Sequence, residues 1–113
     1  MKVFFQTAKL ERECTDEKLR VLKLGRDNAK RLKSRLDTFF SADYLEDTRN
    51  LPGHLHELTG NLKGLFAVDL DANNRILFRP ANDPQPRKKD GGWDWSKIDE
   101  IEILEIKVDY HGK

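Results

Sequence analysis

Residues 65–80, LFAVDLDANNRILFRP, decide the fold. Large apolar side chains occupy every second position on either side of a polar centre: Phe66, Val68, Ile76 and Phe78. A period of two predicts half-buried strands, and the run of Asp and Asn between them predicts a turn. The stretch therefore predicts a β-hairpin with one apolar face, and Arg75 and Arg79 lie together on its other face.

Two further strands are predicted outside the hairpin. Residues 2–6 begin with Lys2 and contain Val3, Phe4 and Phe5, which favour a pleated surface. The last strand starts near Ile98 and runs toward Tyr110. Its apolar alternation changes parity between Ile103 and Leu104, which indicates a β-bulge or a strand buried on both faces.

The N-terminal part of the chain predicts helices instead. Leu10 and Cys14 are four residues apart, and Thr15 is a good N-cap for the following DEKLRVLKL. Gly25 interrupts the pattern, and apolar spacings of three and four predict a longer helix over about 26–40. Helices followed by strands predict an α+β fold in which N-terminal helices pack on one face of a small antiparallel β-sheet.

A long polar loop, NDPQPRKKDGGWDWS at 82–96, separates the hairpin from the last strand. Its Pro, Gly and charged residues predict irregular structure, and loops of this length in compact domains are often functional. Trp93 and Trp95 offer apolar surface that would fix the loop on the rest of the protein.

Length and composition restrict the class of protein. The 113 residues are 37% hydrophobic and 36% charged, with a net charge of +1, so a single domain over 1–113 is expected. No apolar run is long enough to cross a membrane, and the apolar start is too short for a secretory signal. One cysteine, Cys14, cannot form an internal disulfide, so a cytoplasmic protein is expected.

The balanced net charge conceals a basic segment at 18–35. This segment holds eight Lys and Arg residues against one acid, Asp27. Such a cluster attracts phosphate backbones. A merely solvated helix face explains it equally well.

Candidate catalytic side chains fall in two segments. His54 and His56 lie in LPGHLHELTGNLKG at 51–64, and Tyr110 and His111 follow the last strand. His, Tyr, Arg and Lys can transfer protons or bind phosphates. No metal-ligand spacing is present, so no metal or cofactor is expected.

Each candidate also has a structural explanation. His54 follows a Pro-Gly turn and fits a surface position, whereas His56 fits a structural histidine. Tyr110 shares the parity of core positions, Arg79 can pair with Asp69, and a lone cysteine in a charged helix is usually not a nucleophile.

Three blocks of the sequence, in this order, resemble the RelE/ParE superfamily of bacterial toxins, specifically the HigB-type killer proteins. LHELTGNLKG at 55–64 resembles L-x-x-L-K-G-D-x-x-G, RILF at 75–78 resembles R-I-x-F, and DYH at 109–111 resembles the closing D-Y-H. The resemblance covers about 51–80 and 98–112. It implies a small helix-and-sheet fold and the toxin of a type II toxin–antitoxin system, a ribosome-dependent and metal-independent mRNA endonuclease.

The resemblance also implies site residues and partners. His56 matches the first catalytic His, Arg75 the Arg of R-I-x-F, and Tyr110 and His111 the closing pair. Apart from the resemblance, RNA or ribosome contacts are expected from Lys63 and Arg79 and, because of the charge of the basic segment, from Lys23, Arg26 and Lys30. The implied partners are a HigA-like helix-turn-helix antitoxin, the ribosome and mRNA, with operator DNA bound only through the antitoxin.

Two positions depart from the family pattern. Thr59 stands where a Lys is common, and Asn61 where an Asp is common. The missing Lys favours an alternative in which the chain has lost cleavage and binds an antitoxin and DNA, or inhibits a protein target as ParE does. The retained His56, Arg75 and Tyr110-His111 favour the nuclease.

Overall fold

The structure, a computed structural model, describes residues 1–107, so Tyr110 and His111 lie outside the described residues. Its two helices are α1 (Ala8–Thr15) and α2 (Glu17–Ser41). Its five strands are β1 (Lys2–Phe5), β2 (His56–Glu57), β3 (Phe66–Asp69), β4 (Arg75–Pro80) and β5 (Glu100–Lys107). Short 3-10 helices occupy Leu45–Thr48, Gly60–Leu62 and Trp95–Lys97.

The five strands form one sheet in the order β1-β5-β4-β3-β2. The predicted α+β fold is confirmed, and β2 to β5 pair antiparallel. The sheet is nevertheless mixed, because β1 runs parallel to β5, with Lys2 opposite Glu100. A parallel pair requires a crossover connection. The helices supply the first part of it, since they follow β1 and cover one face of the sheet.

A β-bulge in β5 confirms the change of parity predicted at residues 103 and 104. Leu77 pairs with Glu105, whereas its neighbour Phe78 pairs with Ile103, so Leu104 has no partner on β4. The extra residue shifts the strand by one position. As a result Ile103 and Ile106 both reach the core despite their odd spacing.

The helices meet and bend at positions set by local chemistry. Asp16, rather than the predicted Thr15, caps α2, because its Oδ1 accepts from the amide of Leu19 at 3.0 Å. The hydroxyl of Thr15 instead donates to the carbonyl of Glu11. The predicted break at Gly25 is a kink with φ 79°, a conformation that glycine adopts without steric cost.

One face of the sheet packs on the helices to form the core. The helices contribute Leu10, Cys14, Leu32, Leu36 and Phe39. The rings of Phe39 and Phe78 meet edge to face at 5.1 Å. Cys14 is fully buried and burial raises its pKa to about 11, which makes it a core residue rather than a nucleophile. No helix within the described residues is both long and apolar enough to cross a membrane.

The 82–96 loop is fixed on the end of this core, as its two tryptophans predicted. Trp93 and Trp95 are buried, and both rings pack on Phe66, at 6.3 and 5.3 Å between centroids. Nε1 of Trp95 donates to a carboxylate oxygen of Glu57 at 3.2 Å. An isolated antiparallel bridge joins Arg87 to Trp93 and makes the loop tip a small hairpin.

Candidate functional site

The sheet face opposite the helices, called the open face below, carries His56 and Arg75, the two predicted catalytic residues that lie within the described residues. Ile76 and Phe78 belong to the core, so the alternate positions of β4 lie on the open face. These positions are Arg75, Leu77 and Arg79. The prediction that the two arginines share a face apart from the helices is therefore confirmed.

His56 lies on the same open face. It pairs with Ala67 on β3, and directly opposed residues of antiparallel strands point to one side of the sheet. Nδ1 of His56 lies 2.7 Å from the carbonyl oxygen of His54. A carbonyl oxygen only accepts hydrogen bonds, so Nδ1 carries the hydrogen. In the neutral ring Nε2 is then the nitrogen that can accept a proton.

Four side chains, His54, His56, Asp69 and Arg75, meet at one end of the open face and are called the histidine corner. The two imidazole rings stack at 4.5 Å with an angle of 21° between their planes. Nδ1 of His54 lies 3.8 Å from Oδ2 of Asp69. Asp69 is in turn directly opposite Arg75 across β3 and β4. The corner thus combines two proton-transfer groups with a carboxylate and a guanidinium.

The turn before β2 is held closely against β3. The amide of Asp69 donates to the carbonyl of Gly53 at 2.6 Å, and Nε of Arg35 donates to the carbonyl of Asp69 at 3.1 Å. A Cβ on Gly53 would lie 2.5 Å from Cγ2 of Val68, so only glycine fits there. The approach of the turn to β3 brings His54 to Asp69.

A second feature, called the loop groove, lies at the other end of the open face. It has a volume of about 700 Å³. Its functional lining comes from β1, the Gly60–Leu62 region, β4, β5 and the 82–96 loop: Phe4, Lys63, Arg79, Arg87, Trp93 and Glu102. Phe4 is 47% exposed, and aromatic rings at such positions can stack on bases.

The cations of the loop groove differ in how they are held. Arg79 pairs with Glu102, Nη2 to Oε1 at 2.7 Å, so the proposed pairing with Asp69 is wrong. Arg87 lies over the ring of Trp93 at 3.6 Å and donates to the carbonyl of Gly91. Lys63 is exposed beside them. The three cations outnumber the two acids that line the groove, Asp83 and Glu102, so the lining has a net positive charge that attracts anions.

The two features are separated along β4. Arg75 and Arg79 are four residues apart, which corresponds to about 13 Å at the rise of a β-strand. The buried side chains of Ala67 and Leu77 lie between them on the same face. An extended ligand that contacts both the histidine corner and the loop groove would therefore have to span about 13 Å across this buried middle part of the face.

The turn between β3 and β4 is stabilised by Asp71. Its Oδ1 accepts from the amides of Asn73 and Asn74, each at 2.8 Å, and its Oδ2 accepts from the side-chain amide of Asn28 on α2. These hydrogen bonds, that of Asn28 above all, lower the pKa of Asp71 to about 2. The hairpin is thus attached to the helix layer at its turn.

The basic segment at 18–35 is only partly available for binding. Lys23 pairs with Glu13 at 3.1 Å. Buried Arg20 donates to the carbonyl of Cys14, and Arg35 donates to the carbonyl of Asp69 on β3. Arg26 and Lys30 are exposed on α2. They lie on the helix layer, away from the open face.

The sequence did not single out four residues of these two features. Asp69 and Glu102 were hidden because their roles depend on register between strands. Phe4 lies on the open face because it pairs with Glu102, and its alternation with Val3 and Phe5 was a usable signal. Arg87 lies next to Lys88 and Lys89 in the 82–96 loop, and this run of basic residues was also a usable signal. Within the described residues, no three His, Cys, Asp or Glu side chains come together to hold a metal ion.

Solved structures with the same architecture come from bacterial toxins. A YoeB/ParE toxin from Agrobacterium tumefaciens is 12% identical, with a TM-score of 0.58, and the match covers 97% of this chain and 100% of that one. A YoeB dimer from Staphylococcus aureus is 16% identical, with a TM-score of 0.55, over 97% and 98%. YoeB in a heterotetrameric YoeB-YefM toxin-antitoxin complex from the same species is 14% identical, with a TM-score of 0.53, over 97% and 98%.

No protein-family profile matches the sequence, and no curated protein sequence matches it. The structural similarity extends over nearly the whole of both chains. At these identities it bears on architecture, and it agrees with the order of helices and strands described above. The chain therefore has the fold of the YoeB/ParE-type toxins, helices on one face of a five-stranded mixed sheet.

Proposed function

We propose that this protein is the toxin of a type II toxin–antitoxin system, a HigB-type endoribonuclease that cuts mRNA on the ribosome. The observation that carries the proposal is the shared open face of His56 and Arg75, with a cationic groove beside them. The toxin fold and the resemblance of residues 51–80 and 98–112 to HigB-type proteins support it.

The chemistry requires three functions at one phosphate. Metal-independent RNA cleavage uses the ribose 2′-OH as nucleophile, so a base must remove its proton, an acid must protonate the leaving 5′-oxygen, and a cation must offset charge on the phosphorane. Nε2 of His56 suits the base, because Nδ1 already carries a hydrogen. Arg75 suits the cation. The resemblance assigns the remaining proton transfer to Tyr110 or His111.

The loop groove would hold the message beside the reacting phosphate. Lys63, Arg79 and Arg87 supply cations for the backbone, and Phe4 supplies a ring for a base. Because the groove lies about 13 Å along β4 from Arg75, it would bind a flanking nucleotide rather than the scissile phosphate. Arg26, Lys30 and Lys23, on the helix layer, would contact ribosomal RNA.

The proposed partners follow from this function. The similar S. aureus chain is a toxin in complex with YefM. For this chain we propose a HigA-like helix-turn-helix antitoxin, with operator DNA bound only through that antitoxin. The proposal also takes residues 1–113 as a single cytoplasmic domain that acts on ribosomes.

A second candidate is a toxin-fold protein that binds an antitoxin and DNA without cleaving RNA, or inhibits a protein target as ParE does. Two observations favour it: Glu102 already pairs with Arg79 at 2.7 Å, and Thr59 replaces the family Lys. Under this candidate the histidine corner would have no catalytic role.

Expression in a bacterium without its antitoxin tests the proposal. The wild-type chain should arrest growth, and mapping of mRNA ends should reveal cuts in translated regions. Variants His56→Ala and Arg75→Ala should grow normally at equal protein levels. Arg12→Ala, which removes an exposed cation from α1, is the matched control and should remain toxic.

Two other outcomes separate the candidates. Growth arrest with intact transcripts would support the ParE-like candidate and contradict RNA cleavage. Normal growth at high expression of folded wild-type protein would contradict both toxic functions and leave the interaction protein.

A further inference from the structure

His54 is held in an unusual way for an exposed residue. Its side chain is 77% exposed, yet its backbone has φ 50°, in the left-handed region that non-glycine residues rarely adopt. Strained backbone persists where the surrounding structure imposes it, and often at functional positions. Here the turn is imposed by Gly53, whose carbonyl accepts from the amide of Asp69.

Two separate contacts run from His54 to His56. The backbone carbonyl of His54 accepts from Nδ1 of His56 at 2.7 Å, and the two rings stack at 4.5 Å. The first contact selects the tautomer of His56. The second restricts rotation of its ring. A histidine that acts as a base requires both a defined tautomer and a defined orientation.

Asp69 holds the outer ring of this stack. Its Oδ2 lies 3.8 Å from Nδ1 of His54, and its Oδ1 is buried without a hydrogen-bond partner among the described residues. The backbone of Asp69 is fixed on both sides, by Gly53 and by Arg35. The main chain of Asp69 is therefore fixed, and this places its carboxylate beside the His54 ring.

We propose that His54 and Asp69 are positioning residues that hold His56 as an Nδ1-protonated base with Nε2 directed to substrate. The His54 ring, beside Asp69, stacks on His56 and keeps its Nδ1 against the His54 carbonyl, so the tautomer is fixed only while the stack is present. This inference rests on the proposed function for its effect on catalysis, but the tautomer and the stack belong to the protein itself.

Side-chain nitrogen NMR of the uniformly labelled full chain tests the positioning directly. In mildly alkaline buffer, where an ordinary imidazole is neutral, wild-type His56 should be in the Nδ1–H form. His54→Gly keeps the carbonyl and accommodates the backbone, but it removes the ring that holds Nδ1 of His56 at that carbonyl. The His56 ring can then rotate, and its resonances should shift toward the mixture of tautomers of a free imidazole. His54→Phe keeps a ring that can stack and should retain the wild-type form.

Kinetics on ribosomes carrying mRNA form the second measurement. His54→Gly should lower kcat about tenfold with little change in KM, because misorientation affects the reacting group more than binding. His54→Phe should recover kcat to within about threefold of wild type. Asp69→Asn should fall between them. Thermal unfolding of all three variants shows whether a loss of kcat follows a loss of fold.

The outcomes separate this inference from the proposed function. An Nε2–H form of His56 in the wild-type protein, or unchanged tautomer and kcat in His54→Gly, would overturn the positioning role. A wild-type protein with the Nδ1–H tautomer and a His54-dependent NMR signal that does not cleave mRNA would retain the positioning and refute the nuclease.

Discussion

The histidine corner and the loop groove lie at two ends of the same sheet face and are held by different kinds of contact. In the corner, backbone carbonyls of His54 and Gly53 fix the groups that surround His56. In the groove, side chains fix one another, as Glu102 does for Arg79 and Trp93 for Arg87. Groups that are held by backbone contacts can occupy only a small range of positions. Long cationic side chains can change their conformation when a ligand binds.

From this difference we expect separate functions in the proposed nuclease, with chemistry in the histidine corner and RNA binding in the loop groove. Chemistry needs reacting groups within a fraction of an ångström of their positions. Binding of a flexible strand needs charge and stacking surface, and tolerates movement. Changes in the corner should therefore alter the rate, and changes in the groove should alter affinity and its dependence on salt.

Loss of a corner side chain should have the largest effect. His56→Ala should lower kcat about 100-fold, the usual range for removing a general base. Arg75→Ala should lower it similarly, because charge on the phosphorane is no longer offset. Single-turnover cleavage of ribosome-bound mRNA measures both. A pure rise in KM, with kcat intact, would instead assign the corner to binding.

Loss of the groove cations should mainly weaken binding. Each lost phosphate contact to a single strand lowers the salt slope by about 0.7 unit, and Arg79 counts as less than a full contact because it already pairs with Glu102. Replacing Lys63, Arg79 and Arg87 with Gln should therefore lower the slope by between about 1.4 and 2. Affinity for single-stranded RNA, measured over a salt series, provides the test. An unchanged slope would exclude the groove from the RNA path.

Glu102→Gln is the matched control for the groove variants: it removes an acid instead of cations, so its effect on RNA affinity should be opposite. It removes the acid that holds Arg79 and leaves the shape of the groove nearly unchanged, so RNA affinity should rise a few-fold. Cleavage at saturating RNA should stay at the wild-type level. Weaker binding would mean that Glu102 orients Arg79 for RNA rather than competing with it.

The basic segment should have a smaller effect than the groove. Replacing Lys23, Arg26 and Lys30 with Gln should weaken ribosome binding, but Lys23 already pairs with Glu13 at 3.1 Å. About two contacts rather than three are therefore expected to contribute to the salt slope. Ribosome co-sedimentation at several salt concentrations measures it. Unchanged affinity would identify the segment as a solvated helix face.

Substitution of Asp71 should lower the stability of the whole domain and should have no separate effect on the histidine corner or the loop groove. Asp71→Ala removes the hydrogen bonds of the hairpin turn and should lower the free energy of unfolding by about 1 kcal/mol, since the site is partly exposed to solvent. The folded-state pKa of about 2 is below the ordinary 3.8. Its contribution is therefore present above about pH 4 and lost as pH falls toward 2.

Urea denaturation of Asp71→Asn over this pH range provides the measurement. The variant should lose less stability between pH 4 and 2 than wild type, because it has no proton to take up at this position. Its kcat and salt slope should match wild type. A selective loss of kcat would show that the turn supports the histidine corner in particular.

Local pattern was enough to predict the parts of the fold in which one residue's environment follows from its neighbours. The alternation around Phe66 and Phe78 predicted the hairpin and placed Arg75 and Arg79 on one face. The parity change at Leu104 predicted the bulge. Gly25 predicted the kink, because its lack of a side chain is visible in the sequence itself.

Pairing between distant segments could not be predicted in this way. Nothing near Lys2 indicates that β1 runs parallel to β5, and β2 is only two residues long. Arg79 meets Glu102 on β5, because the register of the β3–β4 hairpin places Asp69 opposite Arg75 instead. His54 was predicted to be a surface residue, and it is exposed. Its stack on His56 could not be predicted, because it depends on a positive φ at His54 that no local sequence pattern indicates.

The parallel pair of β1 and β5 has a consequence for how the protein folds. Lys2 meets Glu100, so this contact closes a loop of almost the whole described chain. Such long-range pairing slows folding and comes after local hairpins have formed. Phe4 and Glu102 face each other across this pair, so one wall of the loop groove is completed only then. A newly made chain can form the β3–β4 hairpin early, but it acquires its complete groove in the final step of folding.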